Sequence, residues 1–212
     1  MRERAIPHQP RIAAERLSAL VASRLCHDLV SPLGAIGNGV ELLEMAPPVE
    51  DGPSPELQLL SESVEAARAR IRVFRVAFGQ ASAEQRISVP DLASLLRDLS
   101  AGGRLNLQVD AQGDMPRVET RLILLAVMCL ETALPWGGRV LVCRGLQGWR
   151  LVAEAERTRA IPQLWAWLQT GDVPLSDPAA AEVQFPLLAI HAAAANRQLA
   201  AELDETGAEI SF

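Results

Sequence analysis

The chain has 212 residues, of which 49% are apolar and 22% charged, as is typical of a globular protein with one large or two small domains. The net charge is −6 and all twenty basic residues are scattered arginines, so we expect no nucleic-acid surface, which would need clustered cations. We expect no membrane span and no signal peptide, because apolar runs of about eighteen residues are absent and residues 1–11 are polar.

The first predicted element is a long helix over residues 12–45. Apolar or small residues recur there at steps of three and four, a pattern typical of one buried helical face. Pro32 should kink the helix or loosen one turn, because proline lacks an N–H and crowds the preceding turn. The predicted core positions are Ser18, Ala22, Leu25, Leu29, Leu33, Ile36, Val40 and Leu43.

A second helix is predicted over residues 55–78. Ser54 is a typical N-cap residue, Pro55 suits the first helical position, and Gly79 is a typical terminator. The two helices, joined by a polar loop, predict an antiparallel hairpin. One hairpin buries two apolar faces poorly, whereas two copies bury them as a four-helix bundle. We therefore predict a homodimer through residues 12–80, preceded by a flexible segment at 1–11.

Residues 85–212 alternate between strand and helix patterns and predict a C-terminal α/β sandwich, so that the whole chain is α+β. The predicted elements are, in order, a strand at 87–89, a helix at 90–99, a strand at 105–109, a buried helix at 121–134, paired strands at 139–144 and 149–155, a helix at 162–168, a helix from 178 or 182 to 203, and a strand at 209–212.

His27 is the candidate nucleophile. At helical spacing it shares a face with Arg24, Ser31, Gly34 and Asn38, away from the predicted core positions, so its ring should face solvent. Phosphoryl transfer needs an accessible nucleophile with little bulk around it, and an imidazole is available in neutral form near pH 7. The small residues of this face leave space for a partner's backbone.

The neighbours of His27 suggest how the ring is prepared. Asp28 is able to accept a hydrogen bond from one ring nitrogen, which fixes the tautomer and raises the basicity of the other nitrogen. Arg24 is able to balance the charge of a phosphorylated ring. A Cys26–His27 dyad is disfavoured, because adjacent helical residues point about 100° apart, so we predict that Cys26 is a packed thiol.

The run CHDLVSPLGAIGNGVELL, residues 26–43, resembles the phospho-acceptor helix of bacterial histidine kinases. It is most similar to that of ChpT-type histidine phosphotransferases of bacterial cell-cycle phosphorelays, and the match is confined to about residues 20–44. The resemblance implies a dimeric bundle followed by a degenerate kinase ATP-binding domain. It also implies that His27 is phosphorylated, that Asp28 is its polar partner, and that the surrounding face binds receiver domains.

The resemblance implies specific partners. The phosphoryl group would come from the receiver domain of a CckA-like hybrid kinase and pass to CtrA-like and CpdR-like response regulators. Mg²⁺ is expected in the partner receiver, whereas this chain is expected to bind no metal and no cofactor. The cysteines have no zinc spacing and suit a reducing compartment, so we expect a cytoplasmic protein.

Nucleotide-binding motifs are not found in the sequence. The helix at 122–134 offers Glu131 and Thr132 where a kinase has asparagine, and no Asp-x-Gly-x-Gly occurs. The glycine pairs are typical of turns. We therefore expect no autokinase activity, although a glutamate could in principle hold Mg²⁺. Two alternatives stay open: an active histidine kinase, and a module that binds receivers without being phosphorylated.

The remaining aromatic and histidine residues have structural interpretations. His191 lies in an alanine-rich helix and is predicted to be partly buried. Trp165 and Trp167 are predicted to pack in the core.

Overall fold

Two long helices are followed by an α/β domain in the computed structural model, which describes residues 12–45, 54–82, 84–101, 103–145, 148–169 and 178–212. The predicted flexible segment 1–11 and most of the predicted loop before Ser54 lie outside these residues. The elements are α1 (Ala14–Met45), α2 (Pro55–Ala77), β1 (Arg86–Ser88), α3 (Val89–Ser100), β2 (Leu105–Asp110), β3 (Asp114–Pro116), α4 (Arg117–Ala133), β4 (Gly138–Gly145), β5 (Gly148–Glu154), α5 (Pro162–Gln169), a 3₁₀ turn (Ala180–Glu182), α6 (Gln184–Ala194), β6 (Ala200–Leu203) and β7 (Gly207–Ser211).

The N-terminal hairpin is confirmed. The helix α1 runs through Pro32 as one element of 32 residues, about 48 Å long at 1.5 Å per residue. Ser54 caps α2, because its side chain accepts a hydrogen bond from the Leu57 N–H, and Pro55 occupies the first helical position. Of the eight predicted core positions of α1, Leu25, Leu29, Ile36 and Leu43 are half-buried and the other four are exposed.

The two helices are in close contact at Gly39, which is buried. A Cβ built there would lie 2.9 Å from Leu60 Cγ on α2, whereas a Cβ at Gly34 would meet nothing within 4 Å. Both glycines lie inside α1, so alanine at either position gains helix propensity. Only at Gly39 does the added methyl group force Leu60 to move.

We therefore expect Gly34→Ala to stabilise the protein by about 0.5–1 kcal/mol and Gly39→Ala to be less stable than Gly34→Ala by about 1–2 kcal/mol. Denaturant unfolding of the two variants beside the unsubstituted protein measures this difference. Equal stabilisation by both substitutions would show that the helices are not in close contact at Gly39.

One sheet of five strands, in the order β2-β4-β5-β7-β6, forms the C-terminal domain. The strands β2 and β4 are parallel and the other neighbours are antiparallel. Buried and exposed side chains alternate, so that Val140 and Val142 of β4 face the helices and Leu141 faces out. The predicted α+β class, with helices on one face of the sheet, is confirmed.

The last part of the chain corrects one prediction. A continuous helix was expected from residue 178 or 182 to residue 203, but α6 spans only Gln184–Ala194 and residues 200–203 form the edge strand β6. Asn196 adopts a left-handed φ of 54°, which helices do not tolerate, and β6 then pairs with β7. The short strand β3, which pairs with β1, was also not predicted.

The hairpin and the C-terminal domain share a continuous core. Four buried residues at the end of α2 belong to the same apolar cluster as the helices of the second domain: Val73, Phe74, Val76 and Ala77. At the edge of this junction Arg72 Nε and Nη2 donate to the two oxygens of Asp98 on α3, at 2.7 and 3.0 Å. Trp165 and Trp167 are both 2% exposed and pack in the core, as predicted. Among the described residues, no helix combines the length and the apolar character that crossing a bilayer requires.

His191 on α6 is partly buried, as predicted, and packs against Arg121 of α4. Its Nδ1 lies 3.4 Å from Arg121 Nη1, and Arg121 also donates to the Gly79 carbonyl. Burial, followed by the adjacent guanidinium, lowers the pKa of His191 from 6.5 to about 4. The folded protein therefore holds this ring neutral over a range of pH in which the unfolded chain protonates it.

This difference makes the protein less stable in acid. The unfolded state binds one proton more than the folded state between these two pKa values. The free energy of unfolding is therefore unaffected by protonation of His191 above pH 6.5 and decreases as the pH falls towards about 4. The full shift is worth about 3 kcal/mol, and partial exposure of the ring reduces our expectation to roughly 2 kcal/mol. In denaturant unfolding across this range, His191→Gln should lose less stability than the unsubstituted protein. Parallel losses in the two proteins would contradict this expectation.

Candidate functional site

The helix α1 presents three faces, since successive residues are about 100° apart. One face packs against α2 and the C-terminal domain and includes Asp28 and the buried Gly39. A second face carries the apolar stripe of α1, defined by three exposed side chains: Val30 (66%), Leu33 (58%) and Val40 (44%). The third face carries His27, whose side chain is 81% exposed, as the helical spacing predicts.

Asp28 connects His27 to Arg24. One carboxylate oxygen, Oδ1, lies 3.0 Å from His27 Nδ1, and the other, Oδ2, accepts from Arg24 Nε at 2.7 Å. The side chains of Asp28 and Arg24 are only 10% and 17% exposed. The Asp28 carboxylate is therefore held by the largely buried Arg24, while the His27 ring that it contacts is exposed to solvent.

This contact selects one form of the imidazole. An ionised carboxylate can only accept hydrogen bonds, so the hydrogen that joins Asp28 and the ring belongs to Nδ1. In the neutral ring the other nitrogen, Nε2, then carries the lone pair. Since the side chain is exposed, Nε2 is the atom available for attack on a phosphorus centre.

The C-terminal domain also reaches this site. Arg24 Nη1 donates to the backbone carbonyl of Ala181, in the 3₁₀ turn, at 2.9 Å. Glu131 of α4 lies in the same region. Burial raises the pKa of Glu131, the positive charges of Arg70 and Arg24 oppose this rise, and the negative charge of Asp28 adds to it.

Ala181 and Glu131 lie at the site but were not predicted from the sequence. Ala181 contributes only a main-chain oxygen and lies 157 positions from Arg24, so no pattern of side chains predicts the contact. Glu131 was considered only as a replacement for a nucleotide-binding asparagine. The position of Glu131 on an apolar helix could have indicated a nearby cation, because a buried acid usually has a cationic partner.

The residues predicted to bind a receiver differ in their surroundings. Ser31, Gly34 and Asn38 are exposed on the His27 face, and Gly34 has open space above it. Arg24 is turned inward and bonded to Asp28 and Ala181. A receiver contact by any of the four stays a prediction. Cys26 was expected to be packed but is exposed, because it lies on the side of α1 that carries the apolar stripe.

The region compared with a nucleotide site has structural contacts. Thr132 donates to the Met128 carbonyl and accepts from Gln184 Nε2, each at 3.0 Å, so its hydroxyl joins α4 to the start of α6. Over the described ranges, no three His, Cys, Asp or Glu side chains are arranged to hold a metal ion.

A cavity lies away from His27, where β5 begins and β7 ends. It has a volume of about 740 Å³ and is lined in part by Arg150 and Arg197. Both arginines are paired, Arg150 with Glu209 and Arg197 with the buried Glu119. These contacts stabilise the sheet and do not point to a second reactive centre.

Comparison with known proteins identifies the family of this chain. The family model for the histidine phosphotransferase C-terminal domain matches residues 89–207, more than half of the chain. The chain is 34% identical over 133 residues to the protein phosphotransferase ChpT of Brucella abortus (strain 2308), an alignment that spans 62% of this chain and 62% of that protein. It also resembles a bacterial phosphotransferase of known structure, with 26% identity, a TM-score of 0.78, and coverage of 96% of this chain and 98% of the other. The chain therefore belongs to the histidine phosphotransferase family and is a protein of the ChpT type.

Proposed function

We propose that this chain is a histidine phosphotransferase of a phosphorelay and that it carries the phosphoryl group on His27 Nε2. The observation that supports this most directly is that the His27 side chain is 81% exposed while its Nδ1 contacts Asp28, whose side chain is only 10% exposed. An exposed imidazole that has one nitrogen hydrogen-bonded to an acid and the other free is suited to receive a phosphoryl group from a docked protein.

The transfer step balances without another proton acceptor. The Nε2 lone pair attacks the phosphorus of an aspartyl phosphate, the N–P bond forms, and the P–O bond to the donor carboxylate breaks. The donor regains a carboxylate, and the ring becomes a phosphorylated imidazolium that keeps its Nδ1 hydrogen. Asp28 stabilises this positive charge through the same hydrogen bond. The reverse step delivers the group to a second receiver.

The proposed donor is the receiver domain of a CckA-like hybrid kinase, and the proposed acceptors are CtrA-like and CpdR-like response regulators. The similarity to a protein named ChpT supports this type of partner. Ser31, Gly34 and Asn38 add little bulk beside His27, which leaves room for a receiver to approach. Mg²⁺ would be held by the receiver, and the free thiols of this chain suit the cytoplasm.

We infer further that the chain does not phosphorylate itself from ATP. Glu131 stands where a kinase would need asparagine, and its carboxyl group interacts electrostatically with Arg70 and Arg24 of this chain. Thr132 beside it is engaged by Gln184. These contacts give the two residues roles within the protein rather than towards a nucleotide.

We also propose that the hairpin pairs with a second copy through the apolar stripe of α1. Three large apolar side chains on one face of a helix are an unusual exposure for a lone soluble domain. Ile71 of α2 is exposed as well, at 46%, so both helices of the hairpin offer apolar surface. A four-helix bundle would cover it.

The test is to supply two phosphoryl donors separately. The purified protein is incubated with the receiver domain of a CckA-like kinase that carries radiolabelled phosphate, and in a second reaction with labelled ATP. We expect label from the receiver alone. Label from ATP alone would support the histidine-kinase alternative, and receiver binding without label would support the regulatory module.

A further inference from the structure

A chain of hydrogen bonds connects the C-terminal domain to the His27 ring. The Ala181 carbonyl accepts from Arg24 Nη1 at 2.9 Å, Arg24 Nε donates to Asp28 Oδ2 at 2.7 Å, and Asp28 Oδ1 lies 3.0 Å from His27 Nδ1. Arg24 is therefore held between a backbone oxygen of one domain and, in the other domain, the carboxylate that contacts the nucleophile.

Arginine is suited to transmit position in this way. Its guanidinium is planar and its donors point in fixed directions, so bonding two acceptors at once restricts where each can lie. The exposed His27 side chain has little packing to orient it, and the bond to Asp28 therefore has a large share in setting its direction. A carboxylate that rotates would release the ring.

The position of Ala181 is set from inside the C-terminal domain. Its turn is closed by the Glu182 N–H, which donates to the Ala179 carbonyl at 2.9 Å, and by the Glu182 carboxylate, which accepts from the Ala179 N–H at 2.8 Å. Directly after the turn, Gln184 is 2% exposed and donates to Thr132 Oγ1 on α4. A buried contact thus fixes the turn relative to α4.

Charge also holds Arg24 in this place. Its guanidinium lies near two acids, Asp28 and Glu131, and it offsets their mutual repulsion. Removing the positive charge would leave Asp28 facing Glu131 with less compensation. Asp28 would then tend to turn away from the domain junction, and its bond to the ring would change with it.

We propose that Arg24 is a positioning residue through which the C-terminal domain sets the orientation and the tautomer of His27. This inference rests on the proposed phosphotransfer at His27, and it gives the C-terminal domain a part in the chemical step. When the turn is docked on Arg24, Asp28 is fixed, Nδ1 keeps its hydrogen and Nε2 faces the partner. Without this contact the ring samples both tautomers and more than one orientation.

The first experiment replaces Arg24 by methionine, which keeps the apolar stem but removes every donor, and by lysine, whose single ammonium replaces the guanidinium fork. We expect the transfer rate at saturating receiver to fall by about ten- to a hundredfold in Arg24→Met, with Arg24→Lys between it and the unsubstituted protein. Because the Arg24 side chain is turned inward and only 17% exposed, we expect the receiver dissociation constant to stay unchanged, in contrast to the prediction that Arg24 contacts the receiver. An unchanged rate would overturn the proposal, and so would a loss confined to receiver binding, because Arg24 would then be a contact residue.

Nitrogen NMR shifts of the His27 ring give a readout independent of transfer. In the neutral ring we expect one protonated nitrogen, Nδ1, in the unsubstituted protein and averaging between two tautomers in Arg24→Met. Identical ring shifts in the two proteins would overturn the proposal. This readout separates the proposed phosphotransfer from the proposed role of Arg24. A protein that takes no label from any receiver would contradict the phosphotransfer, but its NMR shifts would still report the tautomer of the His27 ring.

A remote substitution tests the part played by the C-terminal domain. Gln184→Met removes the bond to Thr132 without touching α1, and we expect it to slow transfer and to move the His27 ring shifts in the same direction as Arg24→Met. Gln169→Met is the matched control, because Gln169 Nε2 donates to the Ala201 carbonyl in the same domain but away from the turn. Equal behaviour of the two glutamine variants would show that Arg24 acts without the C-terminal domain.

Discussion

His27→Ala abolishes the uptake of label from a phosphorylated receiver, by at least about a thousandfold, because the substitution removes the only atom proposed to accept the group. The fold should persist. The His27 side chain is 81% exposed and its hydrogen bond is to Asp28 on the same helix, so the free energy of unfolding should change by no more than about 0.5 kcal/mol. Transfer assays and denaturant unfolding on the same preparation measure both quantities.

His191→Gln is the control for this substitution. It also removes one imidazole, but from a position packed against Arg121 on α4, so we expect full uptake of label at neutral pH. Asp28→Asn should reduce the uptake of label without abolishing it. An amide of the same shape lacks the charge that stabilises a phosphorylated imidazolium. Label that survives in His27→Ala would move the acceptor to another residue and remove the basis of the proposed mechanism.

Leu33→Glu dissociates the proposed dimer. The side chain is 58% exposed in the single chain, where a carboxylate would be solvated at little cost. In a bundle the same carboxylate would be buried without a partner, which costs about 3–5 kcal/mol and raises the dimer dissociation constant by at least about a hundredfold. Light scattering over a dilution series measures this change, and circular dichroism should show that the helices persist.

Leu141→Glu provides the matched control for the dimer experiment. Leu141 is 40% exposed on the outer face of the sheet, and the substitution adds the same charge to a different apolar surface. We expect its assembly to equal that of the unsubstituted protein. A Leu33→Glu protein that stays dimeric would show that the apolar stripe of α1 is not the interface, and a protein that is monomeric before substitution would contradict the dimer itself.

Local patterns predicted much of the fold. The limits of α1 and α2 follow from helical spacing, the Ser54 cap and Gly79, all of which act within a few residues. The strands β4 and β5 follow from alternation around two glycines. The edge strand β6 was missed, because alanine-rich residues are compatible with a helix and their pairing with β7 is a contact between separate segments.

At the site, too, contacts between neighbouring residues were predicted from the sequence, whereas contacts between distant segments were not. The exposure of His27 and its contact with Asp28 depend on neighbouring positions of one helix, and the sequence predicts both. The direction of Arg24 depends on a turn 157 positions away that offers only a carbonyl oxygen. Because every residue carries such an oxygen, no sequence pattern marks this one. Its place beside α1 results from the packing of two domains, and so does any influence of the second domain on the reactivity of His27.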